Sequence, residues 1–183
     1  MAGKTATETL TEEHRSIQKV VASMVVLADR LETGREVKSD ILLEVVDFMR
    51  LVEKAHEGKE ELYLFPMLER RGISVHSVPT RTLVVEHQKA KALVAKLEEG
   101  AAELVQGKAA PMALVESLRG LAALYPLHIW QEDLLLFHKA SETLTLADDQ
   151  ELVWDFDRVD ESAGGEVRDR LEELADRVQR EAW

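Results

Sequence analysis

Four stretches of this sequence carry apolar residues at alternating intervals of three and four, the spacing that places side chains on one face of an α-helix. They run from about residue 10 to Gly34, from Ser39 to Gly72, from Pro79 to Gly107 and from Pro111 to about Ser141. Glycine typically follows a helix and proline typically opens one, so these residues predict the boundaries. Four apolar faces joined by short connections predict an all-α, up-down-up-down four-helix bundle.

The sequence beyond the fourth stretch changes character. A glycine pair at 164–165 predicts a break, after which apolar residues at helical spacing between Val167 and Val178 predict an amphipathic tail. We therefore predict a bundle domain over residues 1–142 and a C-terminal helical extension over 143–183. The extension is expected to pack on the bundle or to mediate association. No short internal repeat is apparent.

Two capping boxes are predicted from Thr or Ser followed three residues later by an acid. Thr9 with Glu12 would open the first helix, and Thr145 with Asp148 would open a short helix in the extension.

Composition narrows the possible functions. The chain has no cysteine, so a metal would be held by nitrogen and oxygen alone. Its formal charge of −12 disfavours nucleic acid and anionic membrane surfaces as partners. The first ten residues lack the apolar core of a signal peptide, and no apolar run approaches the roughly 18 residues of a membrane span. We expect a cytoplasmic protein.

Two of the predicted helices carry a histidine followed four residues later by a glutamate. His56 and Glu60 lie on the second helix, and His128 and Glu132 lie on the fourth. Residues four apart project from one helical face, one turn apart, so each pair could clamp a cation.

The heights of the histidines along the bundle are matched. His14 lies 19 residues before the end of the first helix, and His56 lies 18 residues after the start of the second. The same intervals, 19 and 18, apply to His87 and His128 on the third and fourth helices. The junction between the second and third helices fits less closely. The pattern predicts that four imidazoles and two carboxylates meet in the interior, where they would be costly to bury without a cation.

Other candidates carry weaker signals. His138 and Glu142 repeat the spacing, but they lie at a helix end and are expected to face solvent. His76 lies in a connector, where a surface position is the default. Tyr63 and Tyr125 point roughly inward and could donate hydrogen bonds at the site, although most such tyrosines are ordinary core residues.

The mixed nitrogen and oxygen set, with two carboxylates able to bridge, suits a pair of octahedral-type ions with open positions. Iron is the first choice, with manganese or zinc as possible substitutes.

Four segments together resemble the hemerythrin-like HHE cation-binding domains. They are TEEH ending at His14, HEGKEELYLFPML from His56, VEHQKA around His87 and HIWQEDLLLFHKA from His128. The resemblance covers roughly residues 10–141. It implies a four-helix bundle with a non-haem di-iron site, and by matched position it assigns as ligands His14, His56, Glu60, His87, His128 and Glu132.

The sequence departs from the oxygen-carrying members of that family in two places. No second histidine lies one turn from His87, and Glu132 stands four residues after the last histidine where those members have an aspartate at the fifth, here Asp133. The pattern looks more like iron-centre repair proteins and the iron-sensing hemerythrin domain of a eukaryotic F-box protein. In the latter the acid directly after the second-helix histidine can bind iron, which makes Glu57 a further candidate.

Three functions remain open at this point. The first is a binding protein whose di-iron site takes up O2, NO or peroxide for sensing, storage or detoxification. The second is an iron donor, or an enzyme that reduces peroxide or NO, although we assign no catalytic residue and lean towards a binding role. The third is a helical interaction module that forms a homodimer through its C-terminal tail.

Overall fold

The computed structural model describes residues 4–74 and 80–183, and within these ranges it contains six helices and no strand. They are α1 (Ala6–Glu32), α2 (residues 39–70), α3 (Thr80–Val105), α4 (residues 112–143), α5 (Leu146–Ser162) and α6 (Val167–Ala182). The predicted all-α bundle with a C-terminal helical extension is confirmed. No helix among the described residues is long and apolar enough to cross a bilayer.

The helices pack as a closed ring. α4 lies between α1 and α3, and α2 packs on the other side of α3. α6 packs against both α1 and α2. The extension thus covers the side of the bundle formed by the first helical hairpin.

The start of α1 differs from the prediction. Thr5 is the N-cap and forms the capping box with Glu8, so the box predicted at Thr9 is wrong. The apolar face reaches one turn further than expected, because Ala6 and Leu10 are both fully buried. Their burial favours a helix that begins earlier.

The extension shares the core of the bundle. Thr145 and Asp148 form the predicted capping box of α5. The apolar stripe of α6 is buried in the same cluster as the bundle interior, through Val167, Leu171, Ala175, Val178 and Ala182. Lys19 of α1 and Asp176 of α6 form an ion pair at 2.8 Å on the rim of this contact. The division between residues 142 and 143 stays a prediction.

Two apolar clusters fill the interior, and a polar layer separates them along the helices. The larger cluster contains Ile17 of α1 and Ala90 of α3, and the smaller one contains Leu10 and Leu83. The buried polar residues of α1 and α3 fall between these positions in sequence. The fold therefore holds one polar layer between two dry ones.

Candidate metal centre

Four imidazoles, one from each bundle helix, form the polar layer. His14, His56, His87 and His128 are each at most 2% exposed. The Nε2 atoms of His14 and His56 are 3.1 Å apart, and those of His87 and His128 are 3.2 Å apart. The histidines that the sequence predicts to be level thus form two facing pairs.

Two fully buried carboxylates lie beside the imidazole pairs. Glu132 places one oxygen 3.1 Å from His14 Nε2 and the other 3.0 Å from His128 Nε2, so it contacts both pairs. Glu60 approaches His87 Nε2 at 3.5 Å. These contacts are close but poorly directed, and none of the four carboxylate oxygens has a hydrogen-bond partner. All six predicted ligand residues therefore lie in one layer, with oxygens unsatisfied.

Each imidazole turns its other nitrogen, Nδ1, towards a carboxylate of a neighbouring helix. The pairs are His14–Asp133 at 2.9 Å, His56–Glu13 at 2.8 Å, His87–Glu61 at 2.8 Å and His128–Glu86 at 3.0 Å. A carboxylate accepts hydrogen bonds, so these contacts favour a proton on Nδ1 and leave Nε2 as the atom able to bind a metal. Such partners orient metal-binding histidines in known sites.

This arrangement fits a bound cation. Two neutral imidazoles that both carry their proton on Nδ1 would direct their Nε2 lone pairs at each other, which is unfavourable unless a cation or a proton lies between them. Two groups of potential ligand atoms lie within 4.8 Å of one another, and Glu132 belongs to both. They are His14, His56 and Glu132, and His87, His128 and Glu132. The donors are nitrogen and oxygen, as the absence of cysteine requires.

The electrostatics of the layer place protons where cations would bind. Burial disfavours the charged form of His14, but the carboxylates of Asp133 and Glu132 outweigh it and raise its pKa to about 10. The pKa of His87 is raised to about 11, because nearby carboxylates again outweigh burial. In His56 burial prevails and the pKa is lowered. One imidazole of each pair thus holds a proton when no metal is present.

The two inner carboxylates differ in charge. Burial raises the pKa of Glu60 well above its usual value, and the nearby charge of Glu132 adds to the effect. Burial acts on Glu132 in the same direction, but the surrounding imidazoles outweigh it and lower that pKa well below its usual value. Glu132 is therefore the anion that both imidazole pairs share.

Glu57, the further ligand candidate, lies at the edge of the layer. It is 2% exposed, and Tyr125 donates a hydrogen bond of 3.2 Å to its Oε1. Its Oε2 has no hydrogen-bond partner. Glu57 also forms a third potential ligand group with Glu61 and His87. Burial raises the pKa of Glu57, so this corner of the layer holds a carboxyl group and a phenol in contact.

The weaker sequence candidates divide among three outcomes. His138 and Glu142 lie 3.5 Å apart with side chains 70% and 66% exposed, so their predicted exposure at the helix end is confirmed. Tyr63 is partly buried and packs against both apolar clusters, whereas Tyr125 reaches the layer through Glu57. His76 lies outside the described residues.

The outer carboxylates were not predicted as a set, although a sequence signal for them exists. The segments HEGKEELYLF at 56–65 and HIWQEDLLLF at 128–137 share their histidine, their paired acids, two leucines and a phenylalanine. Glu-His also occurs at both 13–14 and 86–87. These matches relate the first helical hairpin to the second at a distance of about 72 residues, too sparse to appear as a short repeat.

The two hairpins also share backbone and ring geometry at the site. A π-helical segment begins at each inner carboxylate, over Glu60–Leu64 and Glu132–Leu136. Such segments are frequent at functional sites. Phe137 stacks on His14 at 5.6 Å between ring centroids, and Phe65 stacks on His87 at 6.3 Å. Each half of the layer is thus closed by an aromatic ring from the following turn.

Comparison with protein families gives one finding. A family model described as Hemerythrin HHE cation binding domain matches residues 5–140. Neither curated proteins nor solved structures gave a match to this chain. The matched range contains α1 to α3 and most of α4, and with them every residue of the polar layer.

Proposed function

This chain belongs to the hemerythrin HHE cation-binding family, and from that premise we propose that its polar layer holds two iron ions and binds O2, NO or peroxide. The binding would serve sensing, storage or detoxification. The observation that carries the proposal is the facing of two imidazole pairs, with Nε2 separations of 3.1 and 3.2 Å, beside two carboxylates whose oxygens lack partners.

The donor groups assign residues to each ion. His14 and His56 would hold one ion, His87 and His128 would hold the other, and Glu132 would contribute to both. Glu60 would complete the set, with Glu57 as a further candidate. A layer of nitrogen and oxygen donors also admits manganese or zinc, so metal analysis has to identify the ion.

The chain would support the centre in two ways. The outer carboxylates hold each imidazole with Nε2 inward, and the apolar clusters on both sides limit access of water. Iron at this place supplies a redox-active centre with open positions for a small ligand. Beside it, Tyr125 and Glu57 offer O–H groups that can donate hydrogen bonds to such a ligand.

Metal loading tests the proposal directly. Protein loaded with Fe(II) under anaerobic conditions should contain about two iron ions per chain by plasma mass spectrometry, and its near-visible bands should change with azide or O2. His56→Ala should lower the iron content. His138→Ala is the matched control, because His138 has the same spacing to a glutamate but an exposed side chain. Wild-type protein without iron, or equal losses in both variants, would contradict the proposal.

A second candidate is the reduction of peroxide or NO with electrons from an external donor. It is favoured by the buried contact between Tyr125 and Glu57, which holds protons beside the layer. Steady turnover that falls in Tyr125→Phe while the iron content stays constant would support an enzyme. Tightly held iron without turnover would support a binding protein, and transfer of iron to an apo acceptor would support an iron donor.

The predicted homodimer has less support than the metal site. The apolar stripe of α6, which was the expected association surface, is buried against α1 and α2 of the same chain. Dimerisation through the tail and a cytoplasmic location therefore stay predictions. Light scattering of the full chain tests the first of these.

A further inference from the structure

Lys59 is a fully buried lysine beside the polar layer. It precedes the inner carboxylate Glu60 and has 0% exposure. Its Nζ lies 2.5 Å from an oxygen of Glu13 and 2.7 Å from an oxygen of Asp160, with the ring of Phe156 at 5.9 Å. Lysine is seldom buried unless it is paired, so these two anions account for its position.

The contacts of Lys59 connect the C-terminal extension to a predicted metal ligand. Asp160 and Phe156 belong to α5, whereas Glu13 belongs to α1. The second oxygen of Glu13 lies 2.8 Å from Nδ1 of His56. A continuous series of polar contacts therefore runs from α5 through Lys59 and Glu13 to the imidazole.

The other half of the layer has no equivalent of this lysine. In the sequence correspondence between the hairpins, Gln131 stands where Lys59 stands in the first hairpin. The counterpart of Glu13 is Glu86, whose side chain is 17% exposed, whereas that of Glu13 is completely buried. Water can stabilise the charge of Glu86, but Glu13 needs a cation within the protein. The series of contacts is thus specific to the half that contains His14 and His56.

We propose that Lys59, held by Asp160 of the extension, is a positioning residue for the ion bound by His14 and His56. Lys59 fixes Glu13 in place, and Glu13 fixes the ring of His56 with Nε2 turned inward. Without the ammonium group, the buried carboxylate of Glu13 loses its ionic partner and the contact that orients His56. The inference rests on the proposed function, because it assigns a role towards the metal centre.

Metal affinity of the full-length protein tests this role, with cobalt(II) as the probe. Wild-type protein should bind two ions. Lys59→Met should weaken one of them by about 10- to 100-fold, the range for loss of a group that orients a metal ligand, and should leave the other unchanged. The weakened ion should show an altered cobalt absorption spectrum. Asp160→Asn should weaken the same ion to a smaller extent.

Lys54→Met is the matched control. Lys54 also lies on α2 and also contacts the extension, since its Nζ donates a 2.7 Å hydrogen bond to the carbonyl of Ser162. It does not contact Glu13 in the structure. Both cobalt affinities should remain at the wild-type level in this variant, although the link between α2 and the extension is removed.

A double substitution separates positioning from a general effect on stability. In Lys59→Met with Glu13→Gln, the glutamine carbonyl can still accept the hydrogen bond from His56, and no buried charge remains to be balanced. Most of the lost affinity should return. A merely structural lysine would give a double variant no better than the single one.

The outcomes distinguish this inference from the proposed function. Wild-type protein that binds no metal would overturn both. Two ions in wild type with unchanged affinities in folded Lys59→Met would overturn the inference alone. Should Lys59→Met fail to fold by circular dichroism, Asp160→Asn decides the matter, because its site is partly exposed at 25%. Unchanged affinities in that variant would then overturn the inference.

Discussion

Metal binding at the polar layer should release protons, and the structure sets their number. In the metal-free protein the pKa of His14 is raised to about 10 and that of His87 to about 11, so both imidazoles are protonated at neutral pH. Both Nε2 atoms face the other imidazole of their pair, where a cation would bind. Two ions must therefore displace two protons, and a third would come from Glu60 where its raised pKa keeps it protonated.

The release of two protons makes the combined affinity for two ions rise about 100-fold per pH unit, or about 2.7 kcal/mol, at pH values well below the raised pKa values. The dependence should flatten as the pH passes about 10 to 11, where His14 and His87 lose their protons without metal. Calorimetric titration with cobalt(II) at pH 7.5 in buffers of different ionisation enthalpy measures the number of protons. Release of fewer than one proton per two ions would refute the reasoning.

The same pKa shifts affect the stability of the metal-free protein. A folded-state pKa above the unfolded value contributes stability that is complete below about pH 6.5 and is lost as the pH rises through the folded value. For His14 and His87 the loss extends to about pH 10 and 11. The melting temperature of metal-free protein should therefore receive a smaller contribution from these groups as the pH rises. The increase in melting temperature on metal binding should grow over the same range.

Three substitutions give further predictions. Glu132→Gln should weaken both ions at least ~10-fold in a cobalt titration, because its two oxygens contact different imidazole pairs. Gly100→Ala should lower the free energy of unfolding by about 1–3 kcal/mol in urea, since its Cβ would lie 2.8 Å from Cβ of Leu114. Gly120→Ala, which meets only the flexible end of a leucine at 3.0 Å, should cost less. Leu171→Ala removes a fully buried side chain of α6 and should cost about 2–5 kcal/mol by the same measurement.

The level of the histidines could be predicted from sequence because helical rise is regular. His14 and His56 lie nearly equal distances from the turn that joins their helices, and counting residues is enough to place them side by side. The looser fit predicted between the second and third helices could not be resolved by counting, because residues 75–79 connect them. The π-helical segments that begin at Glu60 and Glu132 were also beyond prediction. They change the helical repeat without a distinctive residue.

The outer carboxylates show why the remaining contacts were missed. In a chain with 35 acidic residues, Glu13 and Glu86 do not stand out from solvated neighbours until the packing of adjacent helices is known. Lys59 was missed for a related reason, because its partner Asp160 is about 100 residues away in sequence. Long-range ion pairs of this kind depend on how α5 packs, which the local apolar pattern does not determine.

Anomalous diffraction at the iron edge, from crystals of the iron-loaded protein, tests the central claim most directly. The account predicts two peaks per chain, one between His14 and His56 and the other between His87 and His128, with Glu132 reaching both. A single peak at another place, or none in protein shown to contain iron, would contradict it.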